Sequence, residues 1–343
     1  MAKSNLKCNL IETSWFRRCK IKGSVLSNTS HLLVLTQTTD MNKLEIKKYV
    51  EENPSLVSMR ESPAYPGLFV LKYKKRVFFD SLWNDFLEEC RGTIVDKDFN
   101  VVSRPFTKIY NYGVEEKSPK IDSDTPIAAF RKINGFMVAM TWYDNDILVS
   151  TTGSMDSDYV GYAKEMMLKH APIEEWKNAL LSSSGYTLMF ECCHASDPHI
   201  VPEDAGLYFI GYRENAWDSK VESIFGNTRL QWYVSFALSI LKCYYAECMM
   251  TTMGQLVELS KTVQHEGFVF YTEDGVSAKI KSPFYLVNKW MARNPRTDKL
   301  LTKEFKEQID EEYYPLLDHI RENIVEYTAM DEQQRLAWIR KFL

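Results

Sequence analysis

Between residues 65 and 285 the chain is cut into short apolar runs by turn-forming residues, and this punctuation leaves little choice of fold. Phe136 to Tyr143 and Ile147 to Thr151 stand either side of Asp144-Asn145-Asp146, and Gly267 to Tyr271 and Val276 to Ile280 either side of Thr272-Glu273-Asp274-Gly275. Gaps this short, built of Asp, Asn and Gly, close hairpins. Leu68 to Tyr73, Val77 to Phe79, Thr93 to Val95, Val101 to Val102, Thr187 to Cys192 and Leu207 to Tyr212 read as further strands. Helical patterns run over Met41 to Asn53 (stopped by Pro54), Tyr159 to His170, Ile173 to Leu181 (split from the last by Pro172) and Leu230 to about Lys261. The fold expected is α+β, an antiparallel domain with flanking helices. After Pro283 the pattern changes. Ile309, Tyr313, Leu316, Leu317 and Ile320 recur at helical spacing, so a small all-helical C-terminal domain is expected. The divisions are a polar, basic extension over 1–40, a main domain over 41–285 and the helical domain over 286–343.

Composition narrows the function classes. The 343 residues carry 42 Lys and Arg against 46 Asp and Glu, a net charge of -4, so the chain as a whole is no polybasic nucleic-acid binder, although a local basic groove is compatible with it. Seven cysteines without a CxxC pair read as reduced thiols of a cytosolic protein. Cys192 and Cys193 lie near His194 and His199, but neighbours on a strand point to opposite faces and cannot readily share one metal ion. No apolar run approaches the roughly 20 residues that span a bilayer, so no membrane partner is expected.

Lys132 opens the segment Lys132-Ile133-Asn134-Gly135 between two apolar runs. A lysine held there is desolvated, which disfavours the ammonium. Bringing it from about 10.4 to near 7 costs roughly 4 to 5 kcal/mol; burial and the cations of Lys279, Lys281 and Arg91 are expected to supply the shift, leaving a nucleophilic amine. Lys279 and Lys281 alternate on a strand and are expected on one face, where two cations suit a phosphate. Arg91 offers a fork for a phosphate oxygen. Glu191 and Glu266 each border a strand-like run and suit a sugar hydroxyl or Mg²⁺. Gly135 and Gly267 allow close backbone approach.

In order, the chain presents Cys90-Arg91-Gly92, Arg104-Pro105-Phe106-Thr107-Lys108-Ile109-Tyr110-Asn111, Lys132-x-Asn-Gly, a Gly153-Ser154 turn, Phe190-Glu191 running on to Ile200-Val201, and Glu266-Gly267-Phe268-Val269 before Lys279-Ile280-Lys281. Over residues 65 to 290 this series resembles the covalent nucleotidyltransferases (polynucleotide ligases and capping guanylyltransferases), and within them the T4 RNA ligase 1 type. The resemblance implies an ATP-dependent RNA ligase, with residues 41–285 as its adenylation domain. It makes Lys132 the residue that carries AMP. Arg91, Lys108, Asn134, Gly135, Glu191, Glu266, Lys279 and Lys281 become nucleotide and phosphate contacts, with Glu266 a ligand of Mg²⁺. The implied partner is RNA with 5′-phosphate and 3′-hydroxyl ends, nicked tRNA included, in RNA repair alongside an end-healing kinase and phosphatase. The implied setting is a monomer in a bacterial cytoplasm, encoded by a phage. Two departures stand out. Asn134 occupies a position where many relatives carry Asp, and Thr152 one where some carry Lys before the Gly-Ser turn. A capping guanylyltransferase, a DNA ligase and a non-catalytic RNA-binding relative remain alternatives. Nucleotide preference separates the first two; catalytic inertness would mark the last.

Overall fold

Turn chemistry fixes both hairpins. The structure, a computed structural model, describes residues 43–217, 239–293 and 298–343. Strands β6 (Phe136–Tyr143) and β7 (Asp146–Thr151) pair antiparallel, with Tyr143 opposite Asp146. The connection is thus the two residues Asp144 and Asn145, both at positive φ (49° and 59°), the backbone that Asp and Asn tolerate best after glycine. Strands β12 (Gly267–Thr272) and β13 (Ser277–Lys281) also pair antiparallel, joined by the longer turn Glu273 to Val276 with Gly275 at φ 87°.

Among the described residues three sheets result. The first is β1 (Val57–Ser62), β2 (Tyr65–Tyr73), β3 (Arg91–Asp96) and β4 (Val101–Ser103) in sequence order, packed against α1 (Lys43–Glu52), α2 (Lys75–Phe79) and α3 (Asp85–Glu89) around Ile46, Leu71, Val77 and Leu87. The segment from Val77 to Phe79, expected as a strand, is therefore helical. Val77 is wholly buried in this cluster, and packing overrides the β-propensity of a run this short. β1 escaped the sequence reading because Ser58, Arg60 and Glu61 interrupt its apolar pattern.

The second sheet has the order β10 (Tyr244–Tyr245), β9 (Gly206–Glu214), β8 (Tyr186–Cys193), β6, β7. All its pairs are antiparallel except β10 with β9. Helices α4 (Asp158–His170) and α5 (Ile173–Ser182) cover it through Val160, Met166 and Trp176. Cys192 belongs to that core, while Cys193 packs with Ile133 and Tyr208, so the two thiols do face opposite sides of β8. The third sheet is β11 (Cys248–Thr252), β5 (Pro126–Arg131), β12 and β13, backed by α6 (Met253–Ser260). The long helix expected over 230–261 is corrected here. Its described part holds two strands before α6, because β11 pairs along β5 (Cys248 opposite Phe130). A capping box of Thr252 and Gln255 then starts the helix. Residues 218–238, and the expected N-terminal extension, lie outside the described residues.

Past β13 the described chain is helical: α7 (Pro283–Arg293), α8 (Lys303–Lys306), a 3-10 turn (Glu311–Tyr313), α9 (Tyr314–Glu322), α10 (Ile324–Ala329) and α11 (Glu332–Phe342). These share a core of Val287, Trp290, Leu316, Ile320, Tyr327 and Ile339. Among the described residues no helix is long and apolar enough to cross a membrane.

The 3-10 turn ties this helical region to the sheets. Glu312 pairs with Lys281 of β13 and with Lys289 of α7. Burial opposes its charge, but the two ammonium groups more than offset that and hold the carboxyl down at about 2. A depressed carboxylate stabilises the fold above its unfolded pKa, near 4.3, and that contribution drains away as pH falls towards 2. We expect Glu312→Gln to cost about 3 kcal/mol at pH 7 and to flatten the loss of stability between pH 4.5 and 2 seen in the wild type, where the range follows from those two pKa values. Urea midpoints across that range check both; parallel pH profiles for the two proteins would contradict the assignment.

Candidate active site

The Lys132–Gly135 loop joins β5 to β6 and is clamped from two sides. The Lys132 N–H donates to the Gly267 carbonyl at 2.8 Å. A Cβ on Gly135 would stand 2.4 Å from the Cys192 carbonyl oxygen of β8, so nothing larger than glycine passes there. Both clamps are backbone, which fixes where the Lys132 side chain starts.

Its end lies between two carboxylates. The Lys132 Nζ is 3.1 Å from Glu266 Oε2 and 3.9 Å from Glu191 Oε1, with the side chain 21% exposed. Desolvation pulls this ammonium down, as the sequence argument requires, but Glu266 and then Glu191 outweigh it, and the pKa stands above the ordinary lysine value. The expectation of a free amine in the unliganded protein is thereby corrected. The cations invoked to depress it are offset by carboxylates closer at hand. Glu191 is raised, by burial first. Burial also opposes ionisation of Glu266, but Lys132 and Lys281 together prevail and lower it.

Asn134 does not face the cavity. Its Nδ2 donates to Glu266 Oε2 at 2.7 Å and its Oδ1 accepts from the Val201 N–H at 3.1 Å. Both halves of the buried amide are committed in the unliganded protein, where Asn134 holds Glu266. An aspartate here would lack the donor and set a further anion beside Glu266. The Gly135 N–H likewise donates to Glu191 Oε1 at 3.2 Å.

The basic residues separate. Arg91 and Lys279 line the same cavity as Lys132 and Glu191. Lys279 is brought down to about 7 by burial, then by Lys281 and Arg91. Lys281 is held by Glu312 instead, and although burial acts against its charge, Glu312 keeps its pKa above the lysine value. Lys108 is neither an exposed loop residue nor a wall of the cavity. Thr107 and Ile109 line it, while Lys108 does not. Its buried Nζ meets Glu311 at 2.8 Å and Glu115 at 3.4 Å and lies 4.4 Å from the Trp83 ring centre. In the unliganded protein the Lys108 ammonium is thus committed to these two carboxylates.

The cavity holds about 270 Å³. Phe106, Phe130, Met137, Phe209 and Tyr271 make its walls, a slot for a flat ring that ends at charged groups. Arg131 also lines it, gripped by the buried Glu203 at 2.7 and 2.9 Å. Apart from Phe106, which stands in the Arg104–Asn111 motif, none of these walls was singled out from the sequence, where the four aromatics come from separate segments and carry no shared spacing.

Solved structures share this fold. An archaeal ATP-dependent RNA ligase is 14% identical, with a TM-score of 0.53 over 86% of this chain and 75% of that one. A putative ATP-dependent DNA ligase from Aquifex aeolicus is 15% identical, with a TM-score of 0.52 over 87% and 77%. At such identities the likeness is one of fold. Residues 89–293 match the family model described as RNA ligase, which is more than half of the chain, and the protein belongs to that family.

Proposed function

We propose that this RNA ligase is driven by ATP and works through Lys132. The observation that carries the reading is the Lys132 Nζ 3.1 Å from one buried carboxylate in a cavity with aromatic walls that Arg91 and Lys279 also line. In the first step the Lys132 Nζ, having lost its proton, attacks the α-phosphorus. An N–P bond forms and the P–O bond to pyrophosphate breaks. In the second, a 5′-phosphate oxygen of RNA attacks the same phosphorus, the N–P bond breaks, and AMP passes to the RNA as A(5′)pp(5′)RNA. In the third, a 3′-hydroxyl oxygen attacks the RNA phosphorus and AMP leaves.

Glu191 and Glu266 are hard oxygen donors that suit Mg²⁺, which takes few protein carboxylates beside substrate phosphates and, when bound, would neutralise the charge that keeps Lys132 protonated. Asn134 keeps Glu266 in place during these steps. The aromatic slot excludes water from the base, and Arg91 with Lys279 offsets phosphate charge.

Lys279 gives a reading of the site without chemistry. With a pKa of about 7 in the free protein, it is largely neutral at pH 8, and a bound triphosphate favours its ammonium. Binding a non-hydrolysable ATP analogue at pH 8 should therefore take up close to one proton, and Lys279→Met should abolish the uptake. Calorimetry in buffers of different ionisation enthalpy measures it; no proton uptake by the wild type would remove Lys279 from the phosphate site.

The resemblance supports the remaining setting: RNA repair beside an end-healing kinase and phosphatase, by a monomer in the cytoplasm of a phage-infected bacterium, with nicked tRNA as a substrate gripped by the helical C-terminal domain (286–343). Ligation of 5′-phosphate, 3′-hydroxyl RNA with ATP, with the adenylylated RNA caught at early times, tests the activity. Equal joining of nicked tRNA and unstructured RNA of the same length would argue against tRNA preference.

A further inference from the structure

A β-bulge beside the cavity sets two like charges opposite each other. The β2–β3 register slips between Leu71 and Lys72, so that Leu71 pairs with Thr93 and Lys72 with Arg91, leaving Gly92 as the extra residue. Gly92 sits at φ 104°, and a Cβ there would lie 2.8 Å from the Thr152 Cα. The bulge therefore presses β3 against the turn that follows β7 and turns Lys72 and Arg91 to one side. The Lys72 side chain lies across that turn, its Nζ 3.0 Å from where a Cβ on Gly153 would stand.

Like charges directly opposite on paired strands are destabilising, and the local carboxylate does not relieve them. Asp156 is committed to Arg60 at 2.6 Å, to Ser154 at 2.6 Å and to Ser62 at 3.0 Å. Among the described residues neither Lys72 nor Arg91 has a carboxylate within ion-pair distance. The turn itself is pinned by the Thr151 N–H donating to the Ser154 carbonyl at 2.8 Å. An exposed ammonium, a half-buried guanidinium that also lines the nucleotide cavity, and a rigid glycine turn beneath them are a seat for an anion.

We propose that Lys72 and Arg91, over the Gly153-Ser154 turn, form a phosphate subsite at the mouth of the cavity. Lys72 there supplies a cation beside the turn at which this chain carries Thr152. The proposal rests on the RNA ligase reading for its two sources of phosphate, the 5′-phosphate of RNA and the outer phosphates of ATP. The RNA end is the expected occupant, because Lys72 is exposed whereas the slot is enclosed.

Binding measured without Mg²⁺ keeps the test independent of catalysis. Wild type, Lys72→Ala and Lys72→Arg are titrated with one RNA 12-mer bearing a 5′-phosphate or a 5′-hydroxyl, and with ATP or AMP. The wild type should prefer the 5′-phosphate about tenfold, equivalent to one charged contact. Lys72→Ala should lose that preference, with a salt slope shallower by about 0.7, and Lys72→Arg should keep it. Loss confined to the ATP-over-AMP preference would support the same subsite and assign it to the nucleotide. Both preferences unchanged in Lys72→Ala would overturn the proposal. So would a fall of several degrees in Tm, since relief of like-charge repulsion should leave Tm level or raise it. A wild type that never labels itself with ATP would instead overturn the ligase mechanism while leaving these binding results to stand.

Discussion

Lys132→Ala should fold normally, fail to take up AMP, and still seal RNA that is already adenylylated at its 5′ end. The fold should survive because the side chain is partly exposed and the backbone bond that anchors its loop, Lys132 N–H to Gly267 carbonyl at 2.8 Å, needs no side chain. Loss of the nucleophile should reduce self-adenylylation by at least about 10⁴-fold, the scale on which single nucleophile deletions act. Sealing of pre-adenylylated RNA should persist because the attacking and leaving oxygens of the third step do not involve Lys132. Comparison of the two assays on one folded variant decides it. If a folded Lys132→Ala cannot seal adenylylated RNA, the amine does more than carry AMP.

The second large effect falls on the backbone. Gly267 sits at φ 132°, and a Cβ there would approach the Ile280 carbonyl oxygen to 2.0 Å and the Lys281 Cα to 2.8 Å. Both are backbone atoms of the paired strand β13, so relief requires parting the ladder between Gly267 and Lys281. Gly267→Ala should cost at least about 3 kcal/mol. It should also move the carbonyl that fixes Lys132 and the adjoining Glu266, so that surviving folded protein is inactive. Gly161 in α4 is the control, since a Cβ there meets nothing within 4 Å; Gly161→Ala should stabilise by about 0.5 to 1 kcal/mol. Equal melting temperatures for the two variants would contradict this account of the site.

The hairpins around Asp144-Asn145 and Gly275 were legible because their determinants lie within a few residues. So were the helices after Ser157 and Pro172, which carry a period and a stop. Residues 77–79 and 248–252 were misread for the opposite reason: their state is set by packing against Leu71 and by pairing with Phe130, segments that no local window contains. The order of the basic and acidic motifs gave the family, and the structure does gather Arg91, Lys132, Glu191 and Lys279 at one cavity. What it revises are pairings across the chain. Lys108 with Glu311 and Lys281 with Glu312 join residues 203 and 31 positions apart. Lys132 is a charged group in the free protein because Glu266, far along the sequence, comes within 3.1 Å. Spacing shows which residue types are present; it does not show which carboxylate reaches which amine first.

The most direct test is incubation of the purified protein with α-labelled ATP or α-labelled GTP and Mg²⁺, resolved on a denaturing gel, with bound AMP excluded beforehand by mass. An acid-labile label from ATP, absent from Lys132→Ala, is the expected result. Label from GTP alone, label that survives in Lys132→Ala, or no label from either nucleotide would contradict an ATP-driven ligase that works through Lys132.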